Sequence, residues 1–167
     1  PAATNLPRAS FDCPMCGIVS FCSRRPVEPE RLQRATESLR QRGPDGQGLW
    51  LHPQATAGLG HRRLAIVDAP GGQQPFANEE GSVWAVVNGE LYDFRSQRQR
   101  LSGLGHRFQT NCDSEVVCHL YEEHGLEFVH HLRGEFAVLL YDMSRRRMLA
   151  LRDPFGIKPL CYAHWEG

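Results

Sequence analysis

Short apolar segments, separated by glycine, proline and asparagine, follow one another along most of the chain. Their lengths and their content of β-branched and aromatic residues are typical of buried strands. The predicted strands are 17–21, 48–52, 57–61, 64–67, 83–87, 135–142 and 148–152, with 160–162 a candidate for the start of one more. Because only the polar residues 143–147 separate 135–142 from 148–152, this pair predicts a β-hairpin.

Helical spacing of apolar residues occurs in three other segments. The first begins at Pro29, which suits a first helical turn, and it ends before Gly43 and Pro44. The other two are 93–101 and 114–124. The apolar face of the first helix is predicted to contain Leu32, Ala35 and Leu39. Helices mixed with sequentially adjacent strands predict an α+β fold, in which helices pack on antiparallel sheets.

Composition and charge exclude several functional classes. The 167 residues are enough for one domain with its own core. The 19 basic and 19 acidic residues balance without single-sign blocks, so no nucleic-acid partner is predicted. No apolar run approaches the ~18 residues of a membrane-spanning helix, so no membrane association is predicted. The first fifteen residues lack the apolar segment of a secretion signal, and we therefore expect a cytoplasmic protein with reduced cysteines.

Two regions differ in character along the chain. Residues 1–15 show no hydrophobic periodicity and are expected to be a disordered leader, a propeptide or a vector-derived extension. Residues 16–167 are expected to form one domain that is incomplete at its C-terminal end, since the sequence stops just after the candidate strand at 160–162. An unpaired sheet edge there would make the isolated chain weakly stable or cause it to form a homodimer.

Cys13 and Cys16 have the spacing of a metal or redox pair. A zinc ribbon needs a second pair of ligands, and His119 and His124, five positions apart, do not share a helical face. A thioredoxin-like pair would open a helix, whereas Cys16 precedes a predicted strand. The sequence therefore predicts no metal site, and it leaves Cys16 as either an ordinary buried thiol or a nucleophile.

Eight short strings decide between those alternatives. In order they are "MCGIVSF" (15–21), "QRGPDGQG" (41–48), "GHRRLAIVD" (60–68), "QQPF" (73–76), "VVNGELYDF" (86–94), "NCDSEVV" (111–117), "LRGEFAVLLYD" (132–142) and "LRDPFGIKPL" (151–160). Together they resemble the glutamine-hydrolysing domain of asparagine synthetases, the class II (N-terminal-nucleophile, Ntn) glutamine amidotransferases. The resemblance implies a four-layer αββα sandwich with two antiparallel sheets between helices.

The resemblance implies that Cys16 is the catalytic nucleophile and that its own α-amino group is the base. A free α-amine has a pKa of about 7.7–8.0, close to the ~8.5 of a thiol, so the proton transfers easily near neutral pH. As written, Cys16 follows Met15 and has no free amine. Translation from Met15 with removal of that methionine, or cleavage of a fifteen-residue leader, would expose it; if the leader persists, the site is silent.

The resemblance also assigns an oxyanion site and a substrate clamp. The Asn88 side chain and the Gly89 N–H would form the oxyanion hole, although Asn-Gly is also a frequent hairpin turn. Arg63 would bind the α-carboxylate of glutamine and Asp113 its α-ammonium, with Glu90 as a further ligand of the ammonium.

Each clamp residue also has a structural alternative. Arg63 could be a solvated strand residue, and Asp113 could be the N-cap of the helix that follows it. The neighbouring Arg62 is expected to be solvated. Cys112 is interpreted as a tolerated replacement for a small residue, not as a second nucleophile.

The implied reaction is hydrolysis of free glutamine to glutamate and ammonia through a thioester of Cys16. The ammonia would pass to an ATP-dependent, asparagine synthetase-type domain, whose Ser-Gly-Gly-x-Asp-Ser pyrophosphate loop does not occur in this sequence. No cofactor is therefore expected in this chain, and ATP and Mg²⁺ belong to the synthetase domain. The amide acceptor is either aspartate or a specialised metabolite.

Two other functions compete with this one. A catalytically silent structural or docking module would keep the fold with Cys16 blocked by residues 1–15. An N-terminal-cysteine acylase would hydrolyse another amide, and it would not need the pair of Arg63 and Asp113 to hold a zwitterion.

Overall fold

A computed structural model describes residues 15–65 and 72–164. The strands in this part of the chain are β1 (Gly17–Cys22), β2 (Gly46–Leu51), β3 (Ala57–Arg63), β4 (Phe76–Ala77), β5 (Val83–Leu91), β6 (Gly134–Asp142) and β7 (Arg147–Arg152). The α-helices are α1 (Pro29–Glu37), α2 (Phe94–Gly103) and α3 (Val116–His124), and two 3₁₀ helices are Asp113–Glu115 and Gly125–His131. None of these helices is long and apolar enough to span a bilayer.

The strands form two antiparallel sheets. The first has the order β1-β3-β2 and the second the order β4-β5-β6-β7. In the first sheet Gly17 lies opposite Arg62, so the start of β1 lies beside the end of β3. In the second sheet Asn88 lies opposite Ala137 in the long β5–β6 pair.

The two sheets pack face to face through apolar side chains. Leu59 of the first sheet shares a buried cluster with Val86 and Leu139 of the second. At the edge of this cluster the rings of Trp50 and Trp84 stack with their centroids 5.2 Å apart. Alternation along β5 and β6 turns the intervening residues to the opposite face, where they pack on α2 and α3.

Helix α1 covers the outer face of the first sheet, and two glycines of β3 allow its close approach. A Cβ atom at Gly60 would lie 2.0 Å from the Thr36 hydroxyl, and one at Gly58 would lie 2.9 Å from a methyl group of Leu32. The layers are therefore α1, the first sheet, the second sheet, and α2 with α3. This arrangement confirms the predicted α+β class and the αββα order of its layers.

Several predicted elements differ from the structure in detail. The strand predicted at 64–67 is wrong for Leu64 and Ala65, which are irregular, and its last two residues lie outside the described part. No strand occurs at 160–162, and the two-residue strand β4 was not predicted. Helix α1 ends at Glu37, with Leu32 and Thr36 fully buried on its inner face. Apart from Met15, the predicted leader lies outside the described residues.

Candidate functional site

Cys16 directly precedes β1, at the end of the first sheet where β3 finishes. Its half-buried Sγ atom lies 3.4 Å from the backbone nitrogen of Leu64, which donates to it, and 3.8 Å from the Leu64 carbonyl oxygen. The β1–β3 register explains this contact, because Gly17 pairs with Arg62 and the preceding residue therefore meets the chain just after β3. The predicted nucleophile thus lies beside the backbone next to Arg63.

The surroundings of Cys16 favour the neutral thiol. Burial raises the pKa of the Cys16 thiol, and the Leu64 N–H and the charges of Arg63 and Arg42 offset this rise only in part. A thiol held in this way is protonated near neutral pH, so a nucleophilic role requires a base nearby. Met15 is in place in the structure, and its N–H donates to the Arg42 carbonyl oxygen at 3.0 Å.

Arg63 ends β3, and its guanidinium group reaches the segment that begins at Gly72. A Cβ atom at Gly72 would lie 3.0 Å from Nη2 of Arg63 and 3.6 Å from Sγ of Cys112. The arginine and the cysteine therefore flank the same glycine. This contact brings the end of β3 close to the residue that precedes Asp113.

Asp113 is anchored to the end of β5. Its Oδ2 accepts a hydrogen bond from the Leu91 N–H at 2.7 Å, and its Oδ1 accepts from Ser114 Oγ at 3.2 Å and from Cys112 Sγ at 3.4 Å. The alternative prediction of an N-cap is wrong, because Asp113 is the first residue of a 3₁₀ helix that has no side-chain cap. The carboxylate joins β5 to this helix.

Asn88 and Gly89 lie inside β5, and the alternative of a hairpin turn is therefore wrong. Gly89 has φ 150°, and a Cβ atom there would lie 2.0 Å from the Glu135 carbonyl oxygen. Asn88 is 5% exposed, and alternation places it on the face that carries Val86, toward the first sheet. Strand β1, which follows Cys16, lies against β5.

Five of the six predicted residues are therefore linked by successive contacts. Cys16 contacts Leu64 next to Arg63, Arg63 and Cys112 flank Gly72, and Asp113 holds the end of β5 that carries Asn88 and Gly89. Glu90 differs from them. It is exposed opposite Glu135, and no hydrogen bond within the described residues joins its carboxylate to the others.

The two adjacent arginines behave differently from each other. Arg62 is only 6% exposed, and its Nε donates to the Gly43 carbonyl oxygen at 2.9 Å, so the prediction that Arg62 is solvated is wrong. Its Nη1 lies 3.4 Å from the Glu37 carboxylate. Arg62 ties the turn after α1 to β3, whereas Arg63 points toward Gly72 and Cys112.

The thiol of Cys112 is poorly suited to nucleophilic attack. Burial, with the adjacent Asp113 carboxylate, raises the pKa of Cys112 to about 12. This supports the interpretation that Cys112 fills space and is not a second nucleophile.

Lys158 is a neighbour of the site that sequence patterns did not indicate. Its Nζ donates to Glu135 Oε1 at 3.1 Å and lies 3.8 Å from Sδ of Met15. It therefore stands beside the residue that precedes Cys16. The only signal in the sequence was its position within the string "LRDPFGIKPL", which carries no local chemical pattern.

A protein-family model matches the whole described part of the chain. The model of a glutamine amidotransferase domain matches residues 15–167. A protein of Gibberella zeae named amidase chry2 is 44% identical over 161 residues, which cover 89% of this chain and 24% of that protein.

Asparagine synthetases (glutamine-hydrolysing) are similar to the chain at comparable levels. One from Bacillus subtilis is 38% identical and one from Arabidopsis thaliana is 42% identical, each over 90% of this chain. The chain spans only 20% and 26% of these two relatives.

A solved structure shares the fold. The chain superimposes on glutamine phosphoribosylpyrophosphate amidotransferase from B. subtilis with a TM-score of 0.66 and 22% identity, over 87% of this chain and 38% of that one. The fold is therefore the predicted Ntn-hydrolase-like sandwich.

Proposed function

Since the chain belongs to the glutamine amidotransferase domain family, we propose that it is the glutamine-hydrolysing part of an asparagine synthetase-like enzyme. Its substrate is free glutamine, and its products are glutamate and ammonia. The observation that carries the proposal is the contact of Cys16 Sγ with the backbone N–H of Leu64, directly beside Arg63.

In the proposed reaction the Cys16 sulfur attacks the side-chain carbonyl carbon of glutamine. The free α-amino group of Cys16 accepts the thiol proton and then donates it to the departing amide nitrogen, which leaves as ammonia. Water, deprotonated by the same amine, attacks the thioester and releases glutamate and the thiol. The raised pKa of the Cys16 thiol supports this scheme, because such a thiol needs a base at hand.

Asn88 and Gly89 are proposed to stabilise the oxyanion of the tetrahedral intermediates. The buried position of Asn88 supports this role, because donors in a water-poor site need no reorganisation as charge develops. The backbone conformation of Gly89, which favours glycine, and its close approach to the Glu135 carbonyl group also support this role, because both fix the position of the Gly89 N–H.

Arg63 and Asp113 are proposed to hold the two charged ends of glutamine, with Glu90 as a weaker contributor. Arg63 and Cys112 both lie next to Gly72, and the Cys112 thiol donates to Asp113, which supports a pair of opposite charges in one neighbourhood. An acylase that acts on an amide without these charged groups would have no use for that pair.

A synthetase domain of the asparagine synthetase type, with its ATP and Mg²⁺, is proposed as the acceptor of the ammonia. The names and lengths of the relatives support this partner, since the matching region is only 20% and 26% of the two synthetases. Because the five described cysteines are free thiols, we also place the reaction in the reducing cytoplasm.

A catalytically silent module is the second candidate, and the position of Met15 favours it. Met15 is half-buried, with its N–H bonded to Arg42 and its sulfur next to Lys158. A chain that retains Met15 has an amide in place of the catalytic amine, so it would keep the fold without the activity.

One comparison tests both candidates. A form that retains residues 1–15 and a form that begins at Cys16 are each assayed for ammonia release from glutamine. Separate samples of both forms are treated with a diazoketone analogue of glutamine, and their intact mass is measured. We expect one adduct and ammonia release only for the form that begins at Cys16, none for its Cys16→Ala variant, and unchanged labelling for Cys22→Ser, an exposed thiol. Equal ammonia release by the form that retains residues 1–15 would overturn the mechanism, and inactivity of both forms would favour the silent module.

A further inference from the structure

Four potential metal ligands meet on the side of the molecule that carries α3. Glu79 comes from the turn between β4 and β5, His106 follows α2, and His119 and Glu122 lie three positions apart on α3. One ligand atom from each of the four residues lies within 4.8 Å of all the others. Three separate segments of the chain therefore converge on one point.

His119 gives an independent reason to expect a ligand at this point. Its side chain has no exposed surface, and neither of its ring nitrogens has a hydrogen-bond partner within the described residues. The rings of Phe108 and His106 pack against it, with centroids 4.4 Å and 5.0 Å away. Its Nδ1 points to Glu79 Oε2 at 3.6 Å, which is too long for a hydrogen bond. Because an unpaired buried nitrogen is costly, a missing partner is expected.

Three separations between the ligand residues are close to those of a tetrahedral site, and all four ligand atoms lie within 4.8 Å of one another. Zinc binds imidazole nitrogen and carboxylate oxygen at about 2.0–2.1 Å, so tetrahedral ligands are about 3.3–3.4 Å apart. His106 Nδ1 lies 3.6 Å from Glu79 Oε1 and 3.5 Å from Glu122 Oε2. His119 Nδ1 lies 3.6 Å from the other Glu79 oxygen, Oε2. Each of these three contacts needs a contraction of only a few tenths of an ångström, and both Glu79 oxygens face the cluster.

Neighbouring groups orient these ligands in the manner of an outer coordination shell. His106 Nε2 lies 2.9 Å from Glu123 Oε1, so a proton on Nε2 leaves the Nδ1 lone pair directed at the cluster. Asn78 Nδ2 donates to the second oxygen of Glu122 at 3.1 Å, and the Arg107 N–H donates to Glu79. The ligand atoms are therefore held before any ion binds.

The charges around the cluster favour a cation. Three carboxylates, those of Glu79, Glu122 and Glu123, lie within 3.6 Å of His106, and Glu79 also lies 3.6 Å from His119. The guanidinium of Arg98 lies over the Phe108 ring at 4.3 Å.

We propose that Glu79, His106, His119 and Glu122 bind a divalent transition-metal ion of the zinc type in a structural site. Two imidazoles and two carboxylates suit Zn²⁺, whereas Mg²⁺ and Ca²⁺ prefer oxygen ligands alone. The ion connects the β4–β5 turn and the loop after α2 to helix α3. Helix α3 in turn packs on the second sheet. The sequence predicted no metal, because ligands from three segments show no short spacing pattern.

Metal titration of the full chain tests the proposal without any activity assay. The chelator-treated protein is dialysed against Zn²⁺, bound metal is measured by mass spectrometry of the digested protein, and Tm is recorded with and without Zn²⁺. We expect one bound Zn²⁺ per chain and a rise in Tm on binding. Co²⁺ in place of Zn²⁺ should give the intense visible absorption of tetrahedral coordination.

Two conservative variants and two controls identify the ligands. His106→Gln and Glu122→Gln keep the size and polarity of the side chain, and they leave the fully buried His119 unchanged, so the protein should still fold. Each variant should weaken Zn²⁺ binding at least tenfold. His130→Gln, an exposed histidine paired with Glu127, and Cys16→Ser should bind Zn²⁺ as the parent does. The assignment would be overturned by any of three results: no stoichiometric zinc in the parent protein, a Zn²⁺ affinity in both ligand variants equal to that of the parent, or loss of zinc in Cys16→Ser.

Discussion

The backbone N–H of Leu91 donates a 2.7 Å hydrogen bond to Oδ2 of Asp113. This bond fixes one oxygen of the carboxylate to β5, while Oδ1 accepts only the longer bonds from Ser114 and Cys112. A substrate ammonium could replace those two donors at Oδ1 without disturbing the bond to Leu91. Asp113 can therefore serve the fold and the proposed binding of glutamine at the same time.

Substitution of Asp113 should separate these two roles. Asp113→Asn keeps an oxygen that can accept from Leu91 but removes the negative charge, so KM for glutamine should rise roughly 10- to 100-fold while Tm changes little. Asp113→Ala should raise KM and lower Tm together. Ammonia release and thermal melting measure the two effects. An unchanged KM in Asp113→Asn would remove Asp113 from the binding site.

The two adjacent arginines should respond differently to the same change. Arg63→Gln should raise KM for free glutamine roughly 10- to 100-fold, because its charge is proposed to bind the substrate. Arg62→Gln should lower the free energy of unfolding by about 1–3 kcal/mol, since it removes a buried donor from the Gly43 carbonyl. Kinetics and denaturant unfolding of both variants form the test. An unchanged KM in Arg63→Gln, or an unchanged stability in Arg62→Gln, would contradict the corresponding assignment.

The sequence predicted the strands better than the contacts that position the site. Strands β5 and β6 are recognisable as short apolar runs because both of their faces are largely buried, one against the other sheet and one against the helices. Asn88 and Gly89 carry a local signal for a turn, but pairing with β6 extends the strand through both residues. Long-range pairing overrode local preference there.

The roles of individual charged residues were harder to predict. Arg62 and Arg63 are adjacent and chemically identical. Only the register of β3 with its neighbouring strands places Arg62 in a buried hydrogen-bond network and Arg63 beside Gly72. Lys158 meets Met15 through a loop whose course depends on the whole second sheet. Such contacts join residues far apart in the chain, which no periodic pattern records.

Gly89 should be intolerant of any side chain. The methyl group of Gly89→Ala would clash with the Glu135 carbonyl oxygen, and the alanine backbone would be held at φ 150°. The free energy of unfolding should therefore fall by about 3 kcal/mol or more. Gly103→Ala is the matched control, because nothing lies within 4 Å of its Cβ position at the end of α2. That change should be neutral or should stabilise the protein by up to about 1 kcal/mol. Equal effects of the two substitutions in denaturant unfolding would contradict the close approach at Gly89.

Asp142 should make the stability of the protein sensitive to acid. Burial raises the pKa of this carboxyl, but hydrogen bonds from the Tyr121 hydroxyl at 2.6 Å and from the backbone and guanidinium of Arg145 at 2.8 Å and 2.9 Å outweigh it. The net pKa therefore lies below the ordinary 3.8. A lowered pKa means that the unfolded chain binds the proton more readily. The stabilisation is then complete above the unfolded pKa and disappears as the pH falls through the folded pKa.

Asp142→Asn and Tyr121→Phe should therefore flatten the fall of Tm between about pH 5 and pH 2, because each removes part of this proton linkage. Both variants should also have a lower Tm than the parent at neutral pH. Asp93→Asn is the matched control, since Asp93 forms an exposed ion pair with Arg133 whose side chains are 54% and 76% accessible, and such pairs contribute little. A parent-like acid slope in Asp142→Asn, or an equally flattened slope in Asp93→Asn, would show that the acid sensitivity arises at other carboxylates.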